Sequence, residues 1–339
     1  MLNDEWIRRK PVKICIFGVG AIGSYLGAKL AKLPPSEVQV TLIARGEKLK
    51  ALQNQGLKLE ENGSSETINN FFATDDINAV EPQDAIFVTV KAQSVPQVAP
   101  SLPALYGQET MVVMAQNGIP WWYFRKTDGE YEQRTIKAVD PDRTIESNIP
   151  VERIIGCVVY PATELVAPGV VRHIEGNRFS LGELDGSKSD RIKRLSHVLQ
   201  QANLKAPVRR KIRNELWIKL WGNMAFNPIS ALTGATLDRI CEYPLTRELA
   251  RNMMLEAKEI AEKLGVKFGI SLEQRIEGAK EVGAHKTSML QDIESGSLTE
   301  IDALVGAVIE LGELTDTPTP HLNSIYASVK LLEQIANSG

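Results

Sequence analysis

The chain is predicted to be an α/β protein, with a parallel sheet covered by helices and then an all-α carboxyl-terminal part. Three observations carry this. Short, continuously apolar runs alternate with helical stretches over the first half. A glycine cluster joins the first such run to the first helix. Beyond Ser187 strand patterning nearly vanishes and helical periodicity takes over. A length of 339 residues accommodates about two domains. We place them at 1–208 and 209–339, with the junction near Pro207 to Lys211.

Taken in order, KICIF at 13–17 is a β-branched and aromatic run that meets GVGAIG, after which SYLGAKLAKL has an amphipathic helical pattern. VQVTLIA at 38–44, DAIFVTV at 84–90 and TMVVMAQ at 110–116 are further strands of the uniformly apolar kind that a doubly covered parallel sheet requires. Helical stretches such as EKLKALQNQ separate them. Between about Tyr131 and Gly182, RIIGCVVYPATEL and GVVRHIEGNRFSLGE read as antiparallel strands extending the same sheet. SDRIKRLSHVLQQAN, NELWIKLWGNMAFN, TRELARNMMLEAKEIAEKLG and TEIDALVGAVIELGELT are the helices that follow.

Composition narrows the partners. Lys+Arg 39 against Asp+Glu 42 leaves a formal charge of -3, with no block of like charges, so nucleic acid is not an expected partner. Three cysteines, Cys15, Cys157 and Cys241, form no CxxC pair, and the four histidines show no metal-ligand spacing; no metal is expected. No apolar run is long enough to cross a membrane, and MLNDEWIRRKP lacks an apolar leader, so a cytoplasmic location is expected. Apolar helices in the second half leave room for a homodimer interface.

Gly18, Gly20 and Gly23 form GxGxxG directly after a strand and at the start of a helix, with Ala21 and Ile22 inside the motif. Dinucleotide binding needs this context: one glycine makes the turn, the next admits a pyrophosphate, and the last lets helix and strand pack closely. The domain is thus expected to be of the Rossmann type. The second strand ends in Ile43, Ala44, Arg45 and Gly46 rather than in a carboxylate. A guanidinium there favours the 2'-phosphate of NADP, whereas an acidic residue would favour NAD.

Two strand ends carry polar residues where ligands of open α/β sheets bind, Lys91 after VTV and Asn117 in MAQNGIP. In ELWIKLWGNMAFNP, Lys219, Asn223 and Asn227 fall on one slowly drifting stripe of an otherwise apolar helix. A later stretch, HKTSMLQDIESGSLTEID, holds His285, Ser288 and Glu300. There Ser288 with Gln291 and Ser297 with Glu300 also fit the capping-box spacing, which would give both pairs a purely structural role.

VGAIGSYLG, VTVKA, QNGI, WIKLWGNMAFNP and HKTSMLQDIESGSLTEIDALVGAVIELG occur together in an order that resembles the ketopantoate reductase (2-dehydropantoate 2-reductase) family, from about residue 12 to 335. The resemblance implies a carboxyl-terminal domain like that of 6-phosphogluconate dehydrogenase. It implies that Lys219 donates the proton and that Asn223 and Asn227 line the substrate cleft. It further implies that Glu300 binds a substrate hydroxyl, that Ser288 and His285 contact substrate, and that Lys91 and Asn117 lie near the cofactor. The sequence departs from the family at Leu237, where an asparagine is often found, at His285, where some members have an asparagine, and in the stretch from Thr127 to Pro150. Two other readings fit the same features. One is a β-hydroxyacid or 6-phosphogluconate-type dehydrogenase, and the other is a Rossmann protein that senses NADP without catalysis.

The chemistry explains the residue types. Hydride delivered to the carbonyl of a 2-oxo acid builds negative charge on oxygen, which a positioned ammonium both stabilises and protonates. Burial beside Trp217 and Leu220 is expected to bring a lysine toward neutrality. Asparagines hold a polar substrate without competing for that proton.

Overall fold

The computed structural model describes residues 10–336; the amino-terminal stretch read above for a leader, residues 1–9, lies outside them. The first half contains β1 (Val12–Phe17), α1 (Ala21–Ala31), β2 (Val38–Ile43), α2 (Gly46–Gln55), β3 (Leu57–Glu61), β4 (Ser64–Ile68) and β5 (Phe72–Thr74). There follow β6 (Gln83–Val88), α3 (Val95–Val98), β7 (Tyr106–Met114), α4 (Thr144–Asn148), β8 (Ile154–Val159), β9 (Ala162–Ala167), β10 (Val170–Glu175), β11 (Phe179–Gly182) and α5 (Asp190–Gln201). The rest is helical: α6 (Ile212–Thr233), α7 (Leu237–Glu242), α8 (Pro244–Lys263), α9 (Leu272–Glu281), α10 (Ser288–Glu294), α11 (Ala307–Leu314) and α12 (Pro320–Ala336).

Seven strands form the main sheet in the order β11-β8-β7-β6-β1-β2-β5. All neighbouring pairs are parallel except β11 with β8. The chain winds outward from β1 through β2 to β5, then returns to build β6, β7 and β8 on the other side of β1. This reversal is the fold of a Rossmann-type domain, and it opens a crevice at the carboxyl ends of β1 and β6. The uniformly apolar runs are buried as their composition requires: Ile14, Cys15, Ile16, Ile86, Phe87, Val112 and Val113 have no exposed surface.

One expectation fails. GVVRHIEG does not extend the main sheet; β9 and β10 join the hairpin β3-β4 in a separate four-stranded sheet, ordered β4-β3-β10-β9, against which α1 packs. The physical reason lies in the patterning. β10 buries Val171 and exposes its neighbour Arg172, a one-sided strand that cannot sit in a sheet covered on both faces.

The stretch after β7 has a part in joining the lobes. Trp121, Trp122, Tyr123 and Phe124 are buried, and the indole of Trp217 on α6 donates to the Tyr123 hydroxyl at 2.6 Å. Arg213 on α6 donates to the carbonyls of Tyr123, Leu184 and Arg125 at 2.7, 2.8 and 2.6 Å. Further on, the N–H groups of Lys137 and Ala138 donate to the Glu310 carboxylate of α11 at 2.9 and 2.8 Å. No helix among the described residues is long and apolar enough to cross a membrane.

Candidate active site

At the phosphate loop, Gly18 has φ +107°, and a Cβ there would lie 2.5 Å from Val90 Cγ1 and 2.8 Å from the Val90 nitrogen. A Cβ on Gly23 would lie 2.1 Å from the Gly18 carbonyl oxygen. Gly20 differs, since a Cβ built there meets nothing within 4 Å. Gly18 and Gly23 are therefore glycines for packing, while Gly20 keeps the approach to the helix open. Gly20 is the N-cap of α1 and supplies no side chain to its amides, so the helix amino terminus is left to an outside acceptor. Ala21 and Ile22, in its first turn, are half-buried.

Arg45 is exposed at the β2-α2 junction, with no ion pair among the described residues; Glu47 pairs with Lys50 at 2.8 Å instead. The donor set, an uncapped helix end at the close of the first strand, fits the pyrophosphate of a dinucleotide.

On the opposite wall, α6 carries Lys219 into the crevice. Its amine donates to the Asn117 side-chain oxygen at 2.6 Å and to the Val159 carbonyl at the end of β8. An ammonium has three donors, and two are used. Asn117 is held in turn by its amide donating to Glu300 Oε2 at 3.1 Å, while Glu300 Oε1 accepts from the Ala92 N–H at 3.0 Å. The cleft around the amine is lined by Gln116, Asn117, Gly118, Cys157, Val158, Val159, Leu216, Leu220 and Asn223. Burial pulls the Lys219 amine down to about 8, against the opposing field of Glu300. Burial pushes the neighbouring Cys157 thiol up to about 12.

Asn223 and Asn227 follow Lys219 on the same stripe, the first half-buried and the second buried, and neither side-chain amide has a protein partner among the described residues. The other anticipated residues divide. Lys91 forms an ion pair with Asp292 of α10. The burial of Asp292 pushes its carboxyl up to about 6, although Lys91 opposes the shift. Ser288 is exposed on the first turn of α10, which packs on α6, and His285 is half-buried in the loop before it; the structure gives neither side chain a bond to the Lys219 network.

The capping-box alternatives are corrected. Thr287, not Ser288, caps α10, its hydroxyl accepting from the Leu290 N–H at 3.3 Å. Thr299 accepts from the Ile301 N–H at 3.2 Å, and Ser297 bonds Ser295, which leaves Glu300 to the other lobe. Sequence reading missed Val159, Ala92 and Gln116. The first two act through backbone atoms, which no side-chain pattern advertises.

With this geometry in view, the comparisons with known proteins converge. The family described as Ketopantoate reductase PanE/ApbA matches residues 14–186, and its C-terminal counterpart, Ketopantoate reductase PanE/ApbA C terminal, matches 211–333. The chain belongs to the ketopantoate reductase family. It is 50% identical to the 2-dehydropantoate 2-reductase of Mesorhizobium japonicum over 321 residues, covering 95% of this chain and 98% of that one. Among solved structures, a chain from Ralstonia solanacearum MolK2 studied as a candidate ketopantoate reductase superposes with a TM-score of 0.90 at 40% identity, covering 96% and 98% of the two chains. The PanE/ApbA family ketopantoate reductase of Ralstonia eutropha JMP134 superposes with a TM-score of 0.81 at 26% identity, covering 96% and 99%. As a member of this family the chain is an oxidoreductase acting on CH–OH groups, with a nicotinamide dinucleotide as cofactor.

Proposed function

We propose that the protein reduces 2-dehydropantoate, or a closely related 2-oxo acid, to the 2-hydroxy acid with NADPH. The observation that carries this reading is the Lys219 amine. It is desolvated, held by two acceptors and left with one donor in a crevice at the carboxyl ends of the sheet strands. In this reading residues 1–208 hold the cofactor and 209–339 supply the helical wall.

Gly18, Gly20, Ala21, Ile22 and Gly23 would hold the pyrophosphate, and Arg45 would receive the 2'-phosphate. The bound nicotinamide supplies hydride to the carbonyl carbon. Lys219 places its third N–H on the carbonyl oxygen and releases the proton to it, a transfer favoured by an amine brought down to about 8. Asn117 cannot turn its amide over without losing Glu300, so its oxygen stays on Lys219 and fixes the amine. Asn223 and Asn227 offer neutral donors to a polar substrate. Glu300 reads a substrate hydroxyl, since each carboxylate oxygen retains acceptor capacity beyond the single bond it makes.

The test is steady-state oxidation of NADPH with 2-dehydropantoate and with 2-oxoisovalerate, which lacks the hydroxyl. The expected result is a preference for the hydroxylated acid and a loss of roughly 100-fold or more in kcat for Lys219→Ala. Arg45→Glu should shift the preference from NADPH toward NADH. Full turnover by Lys219→Ala would end the proton-donor assignment.

A further inference from the structure

Arg275 of α9 is half-buried, yet among the described residues its guanidinium has neither an ion pair nor a hydrogen bond. The ionisable groups that act on it are Tyr160 and Cys241. Burial pushes both up, to about 12 and about 11, so neither is an anion near neutrality. The nearby carboxylates of its own helix are engaged elsewhere, Glu273 with Arg247 and Arg251 of α8, and Glu277 with Arg247. Arg213, also withdrawn from water, shows the contrast: three carbonyls receive it. A guanidinium withdrawn from water without an acceptor is costly to keep.

Its place in the fold suggests why it is kept. A Cβ built on Gly222 of α6 would lie 1.9 Å from one terminal nitrogen of Arg275 and 2.4 Å from its central carbon. The guanidinium thus lies against the α6 backbone in the space a side chain would fill. Glycine inside a helix of 22 residues is otherwise destabilising. Gly222 is three residues past Lys219, roughly 60° round the helix and about 4.5 Å along it. Tyr160 is near both cations: its ring centroid is 6.0 Å from the Lys219 amine, and it is one of the two ionisable groups close enough to act on Arg275.

We infer that Arg275 is a specificity-determining residue that binds the substrate carboxylate, one turn of α6 away from the lysine that addresses the adjacent carbonyl. The inference rests on the 2-oxo acid reading above and adds to it the group that receives the acid's charge. A planar fork of donors matches a carboxylate bidentately, and the anion supplies the counter-charge the protein omits. Asn223, next to Gly222, adds a neutral donor.

The experiment measures KM and kcat for 2-dehydropantoate and for its methyl ester, in the wild type and in Arg275→Ala, Arg275→Lys and Gly222→Ala. NADPH binding is followed in parallel by nucleotide fluorescence. In Arg275→Ala the KM for the acid should rise about tenfold to a hundredfold, with kcat changed less, the ester unaffected and NADPH binding intact. Guanidinium ion added to the buffer should restore part of the loss. Gly222→Ala keeps the charge but takes its space, so it should raise the KM for the acid in the same direction; Arg275→Lys should fall between. If Arg275→Ala does not fold, these two variants decide the matter. Equal effects on acid and ester, or a loss confined to NADPH binding, would overturn the anchor while leaving the reductase reading intact. A wild type that reduces no 2-oxo acid would overturn both.

Discussion

Lys219 shows how one side chain takes its character from its surroundings. Its stem runs among Leu216, Leu220 and Val158, and its charge is balanced by two uncharged oxygens and the more distant Glu300. Removing the ammonium from water is what brings it down to about 8, and this has two consequences. Reduction needs the protonated amine, so kcat/KM for the 2-oxo acid should fall as pH rises through about 8, while oxidation of the 2-hydroxy acid should rise across the same range. A flat profile from pH 7 to 9.5 would contradict the assignment. The second consequence concerns stability. The folded value lies below the unfolded value of 10.5, so between about 8 and 10.5 the unfolded chain binds the extra proton and stability climbs with pH. At about 1.4 kcal/mol per unit, the wild type should gain roughly 3 kcal/mol relative to Lys219→Met over that window. Urea unfolding of both proteins at pH 7, 9 and 10.5 would reveal this, and parallel curves would refute it.

Among the elements, the turn between β1 and α1 is the most tightly determined. Thr89 donates to the Gly18 carbonyl oxygen at 2.6 Å, and that same oxygen would lie 2.1 Å from a Cβ on Gly23. A methyl group cannot enter without moving the loop that leads into the uncapped amino terminus of α1. Gly23→Ala should therefore destabilise the fold by about 1–3 kcal/mol and weaken NADPH binding, both visible as a smaller thermal shift on adding nucleotide. Gly20→Ala, at an open position, should leave stability nearly unchanged. On the facing element, α6 keeps an apolar majority against the core while Lys219, Asn223 and Asn227 share one polar stripe. Pro228 sits within the same helix.

For the whole molecule, the question is what holds the two walls of the crevice in register. The Lys219–Asn117–Glu300–Ala92 chain crosses it, as does the Lys91–Asp292 pair. Below them, the Ile119 N–H donates to the Ala303 carbonyl at 2.9 Å. Gly118, at φ +89°, would place a Cβ 2.4 Å from that carbonyl oxygen, so the two lobes touch backbone to backbone. Glu310 anchors the far end of the stretch after β7, a strap between the lobes, through two backbone N–H groups. Glu310→Ala leaves both without their acceptor, at a cost of about 1–3 kcal/mol. Its expected signature is a lower melting temperature and faster hydrogen exchange at Lys137 and Ala138, with the chemistry at Lys219 retained. Unchanged exchange there would show that the strap holds by its aromatic residues alone.

Much of this was open to reading from the linear chain. The buried strands β1, β2, β6 and β7 announce themselves because a strand covered on both faces has to be apolar throughout. The GxGxxG turn is legible because only glycine tolerates the approaches found at Gly18 and Gly23. The Lys219 stripe shows because helical geometry turns a spacing of four into a face. The second sheet was not legible, since β3 and β10 are far apart in sequence and their parallel pairing leaves no local mark. Nor was the capping by Thr287, where two adjacent hydroxyl residues competed for one role. What the sequence by itself determined is which groups are available and on which local face each lies, because those depend on bonds and periodicity along the chain. Only the tertiary structure decided that Asn117 and Glu300 close on Lys219, and that Arg275 comes to rest on Gly222 without an anion. These are long-range contacts, set by how the lobes pack.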